Sequence, residues 1–338
     1  MLRLNRSGKS QPKVLYVCGI ALVVVMATVW EFRKGSKPVG WQKRNALFGH
    51  ANPILAVAFS PDGQRLASGD QEGNILIWEW ANGQRLATLH GNQQRILSLT
   101  FSPDGQTLVS GDTEGSVILW DVAKAKEKRS LDYQEAGIVG ICYLPDGKTL
   151  ASAGANGMIK LWDPNTGKER ANWKTPQEGI SCLACSPDGQ TLATGCFDQT
   201  AVLWDVSSTK EKAFIRDNQA GIHALAFTSS GKHLATANAD GEIKIWNIFT
   251  GREAESLKAT GTIILSLGAT ADGRKMIAGS LEGIVNLWDF DIGHDPIVLE
   301  HQKEPWVKAV AIAPDGRRLV FGLNSEYTLE RWELVSPE

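Results

Sequence analysis

Cys182-Leu-Ala-Cys185 has the residue types and spacing that invite a metal or a redox pair, because two thiolates separated by two residues can share an ion or close a disulfide. A zinc site would need a second such pair, or two histidines at matched spacing, and neither follows. The six histidines, His50, His90, His223, His233, His294 and His301, are scattered and form no His-x-x-Glu-His pattern. A Gly-x-Ser-x-Gly nucleophile turn and a phosphate-cradling glycine loop are also missing from the sequence. Glu72, Glu114, Glu282 and Glu326 recur at one position of a repeat, which suits turn support, since a catalytic carboxylate has little reason to occur four times. A ring of such carboxylates could at most collect cations. No catalytic residue, cofactor or metal is therefore expected.

The elements that position these residues follow from a repeat. Trp78, Trp120, Trp162, Trp204, Trp246 and Trp288 stand 42 residues apart, and Trp332 follows 44 later. A fixed period of this length means one supersecondary unit repeated. At the same period runs a turn signature, Pro61-Asp62-Gly63 in the first unit and Pro314-Asp315-Gly316 in the last. Proline presets the first turn dihedral, aspartate bonds back to the backbone and glycine accepts positive φ. Ahead of each turn a β-branched residue (Ile54, Ile96, Ile138, Ile180, Ile222, Ile264, Val307) opens a stretch in which large and small residues alternate. Val57 and Phe59 belong to the large set, Ala56 and Ala58 to the small one. That is a strand buried on both faces, and a large face meeting the small face of the next unit lets sheets pack closely. Four strands per unit predict a propeller blade. On this reading Cys182 and Cys185 point to opposite faces of a strand and serve as small core residues; only if the domain is exported does a Cys142–Cys185 disulfide between blades become conceivable.

The endings Leu119-Trp120-Asp121, Leu161-Trp162-Asp163, Leu203-Trp204-Asp205 and Leu287-Trp288-Asp289 resemble the WD40 repeat family, and the resemblance covers roughly residues 41 to 335. It implies an all-β, seven-bladed β-propeller of four-stranded antiparallel blades. The family's Gly-His pair appears as Gly49-His50 alone, and its tight-turn aspartate is assigned to Asp198 and Asp240. With that assignment the family's chain of Trp, Ser/Thr, His and Asp is complete in no blade. Only six residues follow Trp332, too few for another outer strand. Leu47 aligns with Leu89 and Leu131 at the ends of fourth strands, so residues from about Trp41 to Phe48 are expected to complete the last blade and close the ring.

Residues 14–30, from Val14 to Trp30, form an uncharged run near the lower length limit of a membrane-spanning helix, with basic residues on both sides. The expected organisation is a basic tail (1–13), a spanning helix (14–30), a linker (31–40) and the propeller (41–335). A signal peptide cut after Val25-Met26-Ala27 is the rival, though the apolar run continues past it to Trp30. Residues 1–44 carry nine Lys/Arg against Glu31 alone, whereas 45–338 carry 26 basic and 36 acidic residues. The acidic propeller argues against nucleic-acid binding. The side of the membrane leans to an extracytoplasmic propeller, as a short leading tail implies, against the absence of disulfide-rich spacing, which points the other way.

Irregular positions in a regular repeat carry the functional signal. Phe197 and Leu281 are apolar in turns that should meet water, and Arg95 and Trp306 occupy loops leading into blades where most units have small residues. The resemblance implies that both loop types share one face, and Arg and Trp are residue types that dominate binding hot spots. The expected function is a non-enzymatic scaffold, a monomeric ring tethered to a membrane and taking a protein or peptide partner at Arg95, Phe197, Leu281 and Trp306. The alternatives are a structural subunit of a membrane or envelope complex and, less favoured, an enzyme or ligand-binding propeller with its site in the central channel.

Overall fold

The computed structural model describes residues 40–335 apart from 93, 133, 177–178, 217–218, 229, 262, 271, 292 and 302–305. The expected membrane span, its basic tail and the linker up to residue 39 lie outside the described residues. Among the described residues no helix is long and apolar enough to cross a membrane. What they form is 28 strands in seven four-stranded antiparallel sheets. In the first blade the strands are Ile54–Phe59, Arg65–Asp70, Ile75–Glu79 and Arg85–Leu89, hydrogen-bonded in that order. The first strands of successive blades touch one another and so surround the axis.

Each apolar cluster straddles two blades. Leu99, Phe101 and Trp120 of the second blade bury against Ala56, Ala58 and Ile75 of the first, the large-on-small arrangement expected from the alternation. The β-branched column has a specific reason: Ile96 sits on Gly69 of the preceding blade so closely that a Cβ there would lie 2.5 Å from its Cγ2. The same contact recurs between Gly111 and Ile138 and between Gly195 and Ile222.

Closure is as expected. The seventh blade consists of Val310–Ile312, Arg318–Leu323, Thr328–Leu334 and, as its outer strand, Trp41–Leu47, with Trp41 opposite Leu334 and Leu47 opposite Leu329. Arg331 clasps this seam. Only 4% exposed, it donates from Nε to the Asn45 carbonyl (2.9 Å) and from Nη1 to the Trp80 carbonyl (2.5 Å), with its guanidinium 5.3 Å from the Trp80 ring centroid.

The polar chain corrects the sequence reading. In the first blade it is complete: Trp78 Nε1 donates to Ser68 Oγ (2.9 Å), Ser68 donates to His50 Nε2 (2.6 Å), and His50 Nδ1 donates to Asp70 Oδ2 (3.0 Å). The aspartate of the chain is the last residue of the second strand, two before the turn column. Asp198 and Asp240 take no part; Asp198 accepts from the Thr200 amide, and the Asp240 amide donates to Asn238. Turn support likewise comes from the strand end, since Asp70 accepts from the amides of Glu72 and Asn74. Burial alone would raise the Asp70 pKa, but its bonds from His50 and Asn74 outweigh that and hold it below the usual carboxylate range. The second blade has Asn92 in place of the histidine, bonded to Ser110 and Asp112. In the third, Gln134 accepts from Ser152 but faces Gly154, and its amide nitrogen is unpartnered. The fourth and fifth keep the bond from tryptophan to threonine, Trp204 to Thr194 and Trp246 to Thr236. In the sixth and seventh blades Ala278 and Phe321 hold the hydroxyl position, and the Trp288 and Trp332 indole nitrogens are buried without a partner.

Candidate partner-binding face

Two loop types are tied together at one end of every early blade. The turn between second and third strands donates its first amide to the carbonyl just before the first strand: Thr113 to Arg95 (3.1 Å), Phe197 to Gly179 (3.2 Å), Leu281 to Ile263 (2.8 Å). Both loops therefore share one face of the ring. Neighbouring blades interlock there as well, because Gly221 of the fifth blade lies against the Phe197 backbone of the fourth, with room for no Cβ beyond 3.0 Å of the Phe197 carbonyl.

Arg95 is exposed on this face. Phe197 is 57% exposed, its ring edge-on to His223 at 5.4 Å between centroids. Leu281 and Trp306 are half-buried and adjoin, the Trp306 amide donating to the Leu281 carbonyl (2.9 Å). Trp306 holds φ +51, a conformation unusual for a residue with a side chain. It is maintained by that bond, by the following amide of Val307 on Ser280, and by Asn324 Nδ2, which donates to the Trp306 carbonyl at 3.0 Å. Asn324 Oδ1 also accepts the Ile54 amide, so the same side chain pins the indole's backbone to the first blade.

Two further residues complete this face, and each follows the β-branched residue that opens its blade. After the β-branched residue of the first strand the ladder slips by one, between Ile54 and Ala56 and equally between Ile222 and Ala224. A bulge re-aims the extra residue out of the pairing. In chain order the seven occupants of this place are Leu55, Leu97, Val139, Ser181, His223, Leu265 and Lys308. His223 is on the fifth blade and Lys308 on the seventh, yet the Lys308 charge acts on His223, and the charge of Arg95 on the second blade acts on Lys308. His223 and Lys308 hold equivalent places beside the first strands that surround the axis, and Arg95 stands in an entry loop on the same face, so all three border the channel mouth. Burial, then the Lys308 charge, holds the His223 imidazole below its usual value; burial, then the Arg95 charge, lowers Lys308. The sequence reading counts His223 only among the scattered histidines and does not single out Lys308. Aligning the residue after each β-branched position would have shown them.

Elsewhere the chemistry is spent. Cys182 packs toward the fifth blade and Cys185 toward the third, on opposite faces as expected. Cys142 and Cys185 are free thiols, and the influence of the Cys185 thiol, then burial, raises Cys142 well above the usual thiol range. Burial pushes Cys182 to about 12 and Cys196 to about 11. All three are protonated at neutral pH and poor nucleophiles. Among the described residues no three His, Cys, Asp or Glu side chains gather as metal ligands would. A cleft of about 810 Å³ lies along the seam beside Arg44, Trp80, Asp315 and Arg318. Its cations are engaged internally: Lys43 with Glu330, Arg44 with Glu333, and Arg318 with Asp315.

Residues 47–333 match the family described as the first β-propeller of IFT122. Shorter stretches match curated proteins. The small ribosomal subunit protein RACK1 of Medicago sativa is 50% identical over 46 residues, 14% of this chain and 14% of that protein. Protein Mut11 of Chlamydomonas reinhardtii is 42% identical over 50 residues, 15% and 14% of the two chains. The vegetative incompatibility protein HET-E-1 of Podospora anserina is 54% identical over 37 residues, 11% of this chain and 3% of that one. The matched stretch thus spans only about one-seventh of the length of the first two relatives, roughly one repeat.

Proposed function

Because the chain belongs to the family of the IFT122 first β-propeller, a WD40 propeller, we propose that it is a non-enzymatic protein-interaction scaffold that takes a peptide segment of a partner on the face carrying Arg95, Phe197, Leu281 and Trp306. One observation carries the reading: Phe197 is 57% exposed at the ring of loops where Trp306 is also held by a constrained backbone. Exposed aromatics on pre-formed loops are anchors whose burial contributes to binding with little ordering cost. Residues 14–30 would tether the ring to a membrane, raising its local concentration toward partners there.

Introducing a charge tests the face. Phe197→Glu and Trp306→Glu should each abolish capture of the proteins that the full-length chain retains, with the urea midpoint unchanged. Retention of the same proteins by both variants would sink the reading. The tether is tested separately: deletion of residues 14–30 should move the chain from the membrane to the soluble fraction, and an unchanged distribution would refute it.

A further inference from the structure

Lys308 stands out among the sheltered cations of the ring. Lys160 pairs with Glu169 (3.1 Å), Lys244 with Glu253 (3.0 Å) and Lys275 with Asp289 (3.0 Å). Lys308 is half-buried, and among the described residues neither an ion pair nor a hydrogen bond neutralises it. The groups that act on it and on His223 are other cations. A cation kept from water without a counter-charge is destabilising, and four of the seven occupants of its column are Leu or Val. The fold therefore has a serviceable apolar alternative and does not use it. The propeller as a whole is acidic, with 36 acidic against 26 basic residues over 45–338, so a cation at this point runs against the overall balance.

We infer that the channel mouth on this face receives a single anionic group projecting from the partner's peptide, with Lys308 and His223 holding it within the mouth, Arg95 guiding it from the rim, and Phe197 and Trp306 covering the flanking residues. The anion supplies the counter-charge that Lys308 lacks. This rests on the face being the partner surface, and it adds the chemistry of the group that enters the channel. The flanking aromatics favour a peptide over a free ion, since an ion would leave Phe197 uncovered.

The test uses arrayed nine-residue peptides with randomised flanks and a central Glu, phosphoserine, Gln or Lys, probed with the full-length protein in detergent. At least one anionic set should be retained about tenfold better than the Gln set. Whether Glu or phosphoserine leads identifies the carboxylate or the phosphate as the natural group. Lys308→Leu should fold at least as stably as the parent, matching its column, and should lose the discrimination. Lys308→Glu should favour the Lys set. Equal retention of the Glu, phosphoserine and Gln sets, or discrimination unaltered in Lys308→Leu, overturns the inference while leaving the partner face standing. No retention of any set overturns both.

Discussion

Ser68→Ala and Thr194→Val remove the same atom from equivalent places, and the structure predicts unequal costs. Ser68 Oγ is fully buried, accepts from Trp78 Nε1 and donates to His50 Nε2, so its loss leaves two groups without partners. Thr194 Oγ1 accepts from Trp204 Nε1, and no histidine follows it in the fourth blade, so its loss strands one. A buried polar group left unsatisfied costs ~1–3 kcal/mol. The expected destabilisation is ~3–4 kcal/mol for Ser68→Ala against ~1.5–2 kcal/mol for Thr194→Val. For a domain of this size that is about 6 °C against about 3 °C in Tm. Urea midpoints read by far-ultraviolet circular dichroism at pH 7 measure the difference directly. Neither change alters backbone or side-chain volume much, so packing contributes little to either. Equal costs, or a larger one for Thr194→Val, would refute the view that the chain of four residues stabilises the first blade as a connected unit. The converse change, Ala278→Ser, places a hydroxyl opposite the stranded Trp288 nitrogen and should stabilise by ~1 kcal/mol.

Gly69→Ala should destabilise by ~1–3 kcal/mol, because its Cβ meets Cγ2 of Ile96 in the next blade, and its combination with Ile96→Ala, which removes that methyl, should cost less in urea unfolding than the sum of the two single changes. His223 is held below 6.5, so the unfolded chain binds that proton more readily than the ring does. Stability from this group is complete above pH 6.5 and is lost as pH falls below it, and His223→Gln should show a smaller fall in Tm than the parent between pH 7.5 and 5.5. In a Cys18→Ser background the folded chain should react slowly with iodoacetamide at pH 8 and rapidly in urea, because burial raises Cys182 and Cys196 to about 12 and about 11. Fast labelling of the folded state would contradict that burial.

The blade count and the closing strand were readable because both depend on period alone: Trp78 to Trp332 counts third strands, and Leu47 falls in a column of fourth-strand ends. The polar chain was misread because the turn column, with Asp198 and Asp240, looks like the family's aspartate when spacing is the only guide. Asp70 and Asp112 are themselves 42 residues apart, but they hide at the end of an apolar strand where an acid is unexpected until a histidine is seen beside it. Arg95, Phe197, Leu281 and Trp306 were legible as departures from the repeat. Their relation to His223 and Lys308 was not, because period-two alternation assigns strand faces and the bulge after Ile222 breaks that alternation by one residue. Their places around the axis belong to the second, fifth and seventh blades, and no local pattern within one repeat relates them.

The strand Trp41–Leu47 is made first and paired last. During synthesis its partner, Thr328–Leu334, emerges only after nearly the whole ring, as the separation of 289 positions between Arg44 and Glu333 shows. Until then Trp41–Leu47 is a lone strand with open hydrogen-bonding edges, the kind of segment that recruits neighbouring chains. Its middle reads Gln42-Lys43-Arg44-Asn45, polar and doubly positive, which discourages two nascent copies from zipping together. The charges that later pair with Glu330 and Glu333 thus guard the strand on the ribosome and fasten it afterwards, and neutralising them would raise aggregation during expression more than it lowers the stability of the finished ring.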